Sequence, residues 1–161
     1  MKVVVIYYSK TGNTKSIAEV IAKRSKAKIQ PINLVEKKGR GTEEERQKEV
    51  ELFELALNEG KYADLLFIGT STSFKKAQSK IRRFVKLVET KRIALFCTYT
   101  KDLGITLTEL EDILIERNIE VIGKQEFGGL KTGQYNELIN EEKEKYIEKA
   151  ERFAEFCLKK I

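Results

Sequence analysis

The segment that most constrains the fold is residues 2–16, KVVVIYYSKTGNTKS. Residues 3–8 are β-branched or aromatic without polar alternation, which predicts a strand covered on both faces, as inside a parallel sheet. Residues 9–14 are rich in hydroxyls and amides around Gly12, and a helical apolar pattern begins at Ile17. A strand, a short polar turn and a helix start place backbone N–H groups at the positive end of a helix dipole. We therefore predict an anion site here, with hydroxyl donors at positions 9, 11 and 14.

The rest of the chain alternates predicted strands and helices. Further strands are predicted at residues 28–35, 63–69, 93–97 and 119–127. Helices are predicted from the apolar spacings at residues 17–22, from a capping box at 42–45 to about 59, at 81–88, at 107–114 and at 140–159. Gly60 is expected to end the second helix and Asn118 to close the fourth. Pro31 cannot donate a ladder hydrogen bond, so its strand is expected at an edge.

This alternation predicts a parallel sheet with helices on both faces. Such a sheet binds its ligand beyond the carboxyl ends of its strands, at the point where the strand order reverses. The loops expected to form the site are therefore 9–14, 70–76 and 98–104. The loop at 9–14 has one glycine and no Gly-Lys-Ser/Thr ending, which excludes a Walker nucleotide loop.

Composition narrows the classes of function. The 161 residues fit one domain, and no apolar stretch is long enough to span a bilayer, so we expect a cytoplasmic protein with no membrane partner. The two cysteines are expected to be buried thiols, and the absence of histidine excludes imidazole chemistry. The net charge is +6, but lysines are mixed with glutamates along the helices, which argues against nucleic acid. The abundance of both is also typical of thermophiles.

The S-K-T-G-N-T sequence at residues 9–14 resembles the phosphate-binding loop of flavodoxins and related FMN domains, whose pattern is [ST]-x-T-G-x-T. The resemblance implies a flavodoxin-like, doubly wound α/β fold. Its five-stranded parallel sheet would have the order 2-1-3-4-5, in three αβα layers, as in the short-chain form. It implies FMN as cofactor. The cofactor contacts that it implies in this loop are Ser9, Lys10, Thr11, Gly12, Asn13 and Thr14.

The resemblance also implies that two further loops hold the isoalloxazine ring. The residues concerned are Thr70, Ser71, Thr72, Ser73 and Phe74 in one loop, and Cys97, Thr98, Tyr99 and Lys101 in the other. The family often encloses the ring between a tryptophan and a tyrosine, but this chain has no tryptophan. Tyr99 and Phe74 are therefore expected to stack on the ring. Either aromatic could instead be a packing residue, and Cys97 could simply belong to the core.

Charge separates this chain from typical flavodoxins, which are acidic around the cofactor. The predicted loops carry Lys10, Lys75, Lys76 and Lys101 against Asp102. Positive charge stabilises an anionic reduced flavin, so we expect a less negative potential and an acidic redox partner. The alternative is that these lysines point into solvent and are screened. The expected function is an electron carrier. The alternatives are an FMN-dependent NAD(P)H:quinone oxidoreductase and a non-redox module on the same fold.

Overall fold

A computed structural model describes residues 1–34 and 39–161. The strands are β1 Val3–Tyr8, β2 Lys28–Pro31, β3 Leu65–Ser73, β4 Lys76–Ala77, β5 Arg92–Thr98 and β6 Glu120–Phe127. The helices are α1 Asn13–Ser25, α2 Glu43–Lys61, α3 Ser79–Leu87, α4 Thr106–Glu116 and α5 Asn140–Leu158, with a short 3-10 helix at Gln134–Glu137.

The main sheet has the order β2-β1-β3-β5-β6, and all its neighbouring strands are parallel. When the antiparallel β4 is left out and the five parallel strands are renumbered in chain order, this order becomes 2-1-3-4-5, as predicted. The predicted fold class is therefore confirmed. The strand β2 lies at one edge, as Pro31 indicated. The short β4 was not predicted, and it pairs antiparallel with the end of β3.

Helices cover both faces of this sheet. Along β1, Val4 and Ile6 point into a core shared with α2, α3 and α4, whereas Val3, Val5 and Tyr7 point into a core shared with α1 and α5. All five side chains are buried. The prediction that β1 is covered on both faces is therefore confirmed, because each face of this central strand packs against a helical layer.

Several predicted boundaries are wrong. The strand predicted to end at residue 69 continues to Ser73, so the predicted exit loop 70–76 is instead strand followed by a tight turn into β4. Gly60 does not end α2 but lies inside it, where a Cβ would meet a methyl group of Val88 at 2.8 Å. Close helix packing therefore explains this glycine. The second strand ends at Pro31, and residues 35–38 of the predicted strand and loop lie outside the described residues.

Other local predictions are confirmed. The capping box is present, because the Thr42 hydroxyl accepts a hydrogen bond from the Glu45 amide at 3.1 Å and the Glu45 carboxylate accepts one from the Thr42 amide at 2.9 Å. Asn118 follows α4 with a left-handed φ of 59°, which is a common helix ending. Both cysteine thiols are buried and unpaired. None of the helices in the described ranges has the length and apolar character required to span a membrane.

Candidate functional site

The three predicted loops meet at the carboxyl edge of the sheet. They enclose a cavity of about 150 Å³. Its lining comprises Ser9, Lys10, Thr11, Asn13, Thr14, Ser71, Thr72, Ser73, Thr98, Tyr99, Thr100, Leu130 and Thr132. The order of the parallel strands explains this meeting, since β1, β3 and β5 are neighbours and end side by side. Leu130 and Thr132 add a fourth wall that the sequence did not predict.

The first loop is held from within by Ser9. Its side chain is fully buried, and its hydroxyl oxygen accepts hydrogen bonds from the amides of Gly12 and Lys15, both at 3.1 Å. Gly12 has a φ of +108°, a conformation that side chains with a Cβ rarely adopt. The turn therefore depends on a glycine at this position, and α1 begins directly after it.

The backbone N–H groups of this loop supply the donors of an anion cradle. The amides of Asn13 and Thr14, in the first turn of α1, have no acceptor within the described part of the chain, and neither do those of Lys10 and Thr11. These donors lie at the positive end of the dipole of α1. The arrangement suits an anion that can accept several hydrogen bonds at once.

Several hydroxyl groups of the cavity keep a hydrogen to donate, although that of Thr100 already donates to the Leu130 carbonyl. Ser9 accepts two amide hydrogen bonds, and the Thr11 hydroxyl accepts one from Gly133 at 3.1 Å, so both keep an O–H to donate. The hydroxyls of Thr14 and Thr98 lie 2.8 Å apart, which leaves one hydrogen of that pair unused. Ser9 and Thr11 thus use acceptor positions within the protein, and their O–H donors remain available. Such a cavity favours a ligand that only accepts hydrogen bonds.

The fourth wall is a strap, residues 130–135, tied to the first loop. The amide nitrogen of the Asn13 side chain donates to the Lys131 carbonyl at 2.7 Å, and its oxygen accepts from the Tyr135 amide at 3.0 Å. The Thr100 hydroxyl donates to the Leu130 carbonyl at 3.0 Å. The side chain of Asn13 therefore holds the strap, and its backbone amide is left for the predicted cofactor contact. Gly133 and the glycine pair at 128–129 were the sequence signals for this turn-rich segment.

Tyr99 is the aromatic side chain that the structure brings to the cavity. Its ring lies against Gly128, where a Cβ atom, if one were present, would come within 2.3 Å of the ring carbon Cζ. Its amide donates to the Phe127 carbonyl at 3.1 Å, and its carbonyl accepts from the Leu130 amide at 3.2 Å. Partial burial, and then the carboxylate of Glu126, raise the pKa of the Tyr99 phenol, so it stays neutral.

Other predicted site residues lie away from the lining. Phe74 is 97% exposed, because it occupies a tight turn with a left-handed φ of 51° that directs it away from the body of the protein. Cys97 is fully buried in the core between the sheet and α4, and burial raises the pKa of its thiol to about 12. Thr70 is also buried, with its hydroxyl donating to the Ser71 carbonyl and accepting from the Gln78 amide. The flavin contacts expected of these three residues stay predictions.

The predicted basic residues have different surroundings. Lys10 lines the cavity and is exposed, whereas Lys101 is exposed but does not line it. The Lys75 ammonium lies 3.4 Å from the Asp102 carboxylate, with both side chains more than half exposed. A hydrogen bond from the Gly104 amide, and then Lys75, lower the pKa of Asp102. The positive charge of this rim is therefore only partly compensated.

Comparisons with known proteins agree with this geometry at the level of the fold. No protein-family model and no curated protein matches the sequence. The two-electron reduced flavodoxin of Megasphaera elsdenii aligns with a TM-score of 0.64 over 98% of both chains at 17% identity. A flavoprotein of Lactobacillus acidophilus, solved in complex with FMN, aligns with a TM-score of 0.56 over 78% of this chain and 92% of that one, at 17% identity.

An azoreductase of Bacillus anthracis is also similar, with a TM-score of 0.57 over 96% of this chain and 99% of that one, at 13% identity. Identities this low establish a shared fold and leave the chemistry to be argued from the site. The chain has a flavodoxin-like fold, and its cavity lies at the switch point of the sheet.

Proposed function

We propose that this chain binds FMN, with the phosphate in the cavity, and carries electrons between protein partners. The observation that carries the proposal is the set of unused donors: the loop amides and the remaining O–H groups of Ser9, Thr11 and the Thr14–Thr98 pair. A phosphate dianion accepts hydrogen bonds and donates none, so it complements this set. The FMN complex of similar fold supports the same assignment.

The residues fit the phosphate end of FMN better than its ring. The cavity volume of about 150 Å³ is below the roughly 300–1,000 Å³ usual for a whole small-molecule ligand. The ring therefore has to find its contacts at the mouth, where Tyr99 and the half-buried polar edge of 71–73 are available. Bound FMN would supply one- and two-electron redox chemistry, which no side chain of this cavity can supply.

The role of the chain is then to bind, orient and tune. Among the described residues of the lining, none is a carboxylate, and Lys10 is the charged member. Lys10 and the neighbouring lysines of the rim favour the anionic form of a reduced flavin over its neutral form. The same charge favours docking of an acidic partner protein, at a rate that falls with increasing salt.

An FMN titration of the wild-type protein and a Gly12→Val variant tests the proposal. A valine at position 12 requires an unfavourable φ and blocks the approach of the phosphate to the loop, so affinity is expected to fall by at least about tenfold. Gly39→Val is a matched control, because Gly39 also has a positive φ of 56° and open space around a Cβ. Absence of FMN binding by the wild type, or equal losses in both variants, would refute the proposal.

A second candidate is an FMN-dependent reductase that takes hydride from NAD(P)H. The azoreductase of similar fold favours it, as does the open, basic mouth of the cavity. Steady-state NAD(P)H oxidation with a quinone acceptor separates the two, since a carrier turns over only with its protein partners. A purified protein without the visible absorbance bands of a flavin, and without FMN affinity, would instead indicate a non-redox module.

A further inference from the structure

A groove between α2 and α3 concentrates positive charge away from the cavity. Among the described residues, four cationic side chains line it: Arg40, Arg46, Lys80 and Arg83. Val50, which is 50% exposed, and Phe53 provide its apolar surface, and its volume is about 320 Å³. We infer that this groove is a second anion site, which takes the phosphate of an organic phosphomonoester such as a nucleoside monophosphate.

The arginines of this groove differ from most other arginines of the protein in lacking a described carboxylate partner. Within the described ranges, four of the eight arginines form ion pairs with carboxylates: Arg24, Arg82, Arg92 and Arg152. Arg117 donates instead to a backbone carbonyl. The remaining three, Arg40, Arg46 and Arg83, have no described carboxylate partner, and all three line the groove. Cations that outnumber the nearby carboxylates repel one another, and an anionic ligand would relieve this repulsion.

Among the described residues of the lining, Glu49 is the carboxylate, and it forms an ion pair with Lys80. Glu49 is 3% exposed, and its two oxygens accept from the Leu34 amide at 2.6 Å and from the Lys80 ammonium at 3.3 Å. The described lining of the groove therefore carries one carboxylate and four cationic side chains. The burial of Glu49 also fixes Lys80, whose side chain is 27% exposed, at the groove wall.

Two of the guanidinium groups are held in place by uncharged contacts. Arg83 lies 4.6 Å from the centroid of the Phe53 ring, and Arg46 donates to the Gly41 carbonyl at 2.9 Å. Neither contact uses all five N–H donors of a guanidinium. Arginine forks match phosphate oxygens in bidentate geometry, and pre-positioned forks lose less entropy when they bind.

The apolar part of the groove favours an organic phosphate over the free ion. Inorganic phosphate would leave the exposed Val50 methyl groups and the guanidinium plane of Arg83 without contacts. A flat base can stack on a guanidinium plane, as bases do in nucleic-acid recognition. Both ligands carry the phosphate group that the arginines would bind, and the nucleoside of an organic phosphate adds surface that can pack in this groove.

Calorimetric titration with AMP, adenosine and inorganic phosphate tests the inference. We expect AMP to bind the wild type, inorganic phosphate to bind more weakly and adenosine not to bind measurably. Loss of two charge-assisted contacts in an Arg46→Gln/Arg83→Gln variant is expected to weaken AMP binding by at least about tenfold. An Arg24→Gln/Arg152→Gln variant is the matched control, because it removes the same charge from carboxylate-paired arginines.

The outcomes separate this site from the FMN cavity. AMP binding that survives in Gly12→Val supports a second site, whereas loss of AMP binding in that variant places AMP in the cavity and overturns the inference. If AMP binding weakens equally in both double-arginine variants, net charge explains it and the inference is wrong. If adenosine binds as tightly as AMP, the base and not the phosphate is recognised, and the inference is again wrong. Stronger binding of a polyglutamate peptide, in competition with AMP, would assign the groove to an acidic protein. Thermal unfolding of each variant checks that it is folded.

Discussion

Replacing Gly128 with alanine is expected to destabilise the protein by displacing the ring of Tyr99. The added Cβ would lie 2.3 Å from Cζ, 2.4 Å from the phenol oxygen and 2.7 Å from Cε2 of that ring. These distances are far below a normal van der Waals contact of about 3.5–4.0 Å. Gly128 is absent from the residues with positive φ, so alanine adds no backbone strain of its own. The expected effect is therefore steric.

The surrounding hydrogen bonds determine which group has to move. The Gly128 carbonyl accepts from the Tyr146 hydroxyl at 2.7 Å, and the Gly129 amide donates to the Thr100 carbonyl at 3.2 Å. This backbone is held on both sides, so the half-buried ring yields first. Overpacking a fixed site typically costs about 1–3 kcal/mol, and partial exposure of the ring places the expected cost of Gly128→Ala at about 1–2 kcal/mol.

A double-mutant cycle isolates this contact. In a Tyr99→Ala background the same alanine has no ring to displace, so its cost is expected to fall close to zero, with a coupling energy of about 1–2 kcal/mol. Urea denaturation of the four proteins, followed by circular dichroism, measures it. Effects that add within about 0.5 kcal/mol would show that the ring does not lie against Gly128, and would remove the reason for placing an aromatic at the cavity wall.

Three further changes test other parts of the structure. Lys75→Gly is expected to stabilise the protein against urea by roughly 1 kcal/mol, because Lys75 has a φ of 62° that glycine adopts without strain; an unchanged midpoint would contradict this. Asn13→Ala is expected to cost about 1–3 kcal/mol and to speed hydrogen exchange of the buried Tyr135 amide, which loses its acceptor; unchanged exchange would contradict the strap. Hydrogen bonding to Lys28, and then to a second lysine, lowers the pKa of Glu59. The stabilisation that the Glu59 carboxylate provides is therefore present at neutral pH and lost as pH falls through that lowered pKa. The difference in unfolding free energy between the wild type and Glu59→Gln should accordingly shrink on acidification. A difference that stays constant down to about pH 3 would contradict the assignment.

Most of the sheet could be predicted because its strands carry their own signal. A continuous apolar run indicates burial on two faces, and Pro31 indicates an edge, without knowledge of the tertiary contacts. The hairpin of β3 and β4 could not be predicted. Its two-residue turn, Phe74–Lys75, has left-handed φ values of 51° and 62° but lacks the Asn-Gly type of sequence that normally marks such a turn. Contacts outside the turn support it, among them the Lys75 carbonyl accepting from the Ile105 amide at 3.0 Å.

The candidate site likewise has a part that the sequence could predict and a part that it could not. Convergence of the three loops follows from the topology alone, since parallel neighbours end at one edge. The strap at 130–135 depends on hydrogen bonds that the side chains of Thr11 and Asn13 accept from backbone amides 122 positions away in the chain. No periodicity marks such contacts. Phe74 was expected at the ring because its loop is adjacent, but turn geometry, which the sequence did not reveal, points it into solvent.

The same hydrogen bonds explain how neutral hydroxyl and backbone amide donors of this loop can be ready for an anion before one arrives. Ser9 and Thr11 use their acceptor lone pairs to hold Gly12, Lys15 and Gly133, so the loop and the strap are ordered by the protein itself. Their O–H groups and the first amides of α1 remain as donors. Binding then has little loop-ordering entropy to overcome, and removal of the anion leaves donors that water can satisfy. A serine or threonine hydroxyl serves both needs with a single oxygen atom, because it accepts a hydrogen bond from the protein while it donates its own hydrogen to the ligand, whereas a lysine ammonium can only donate.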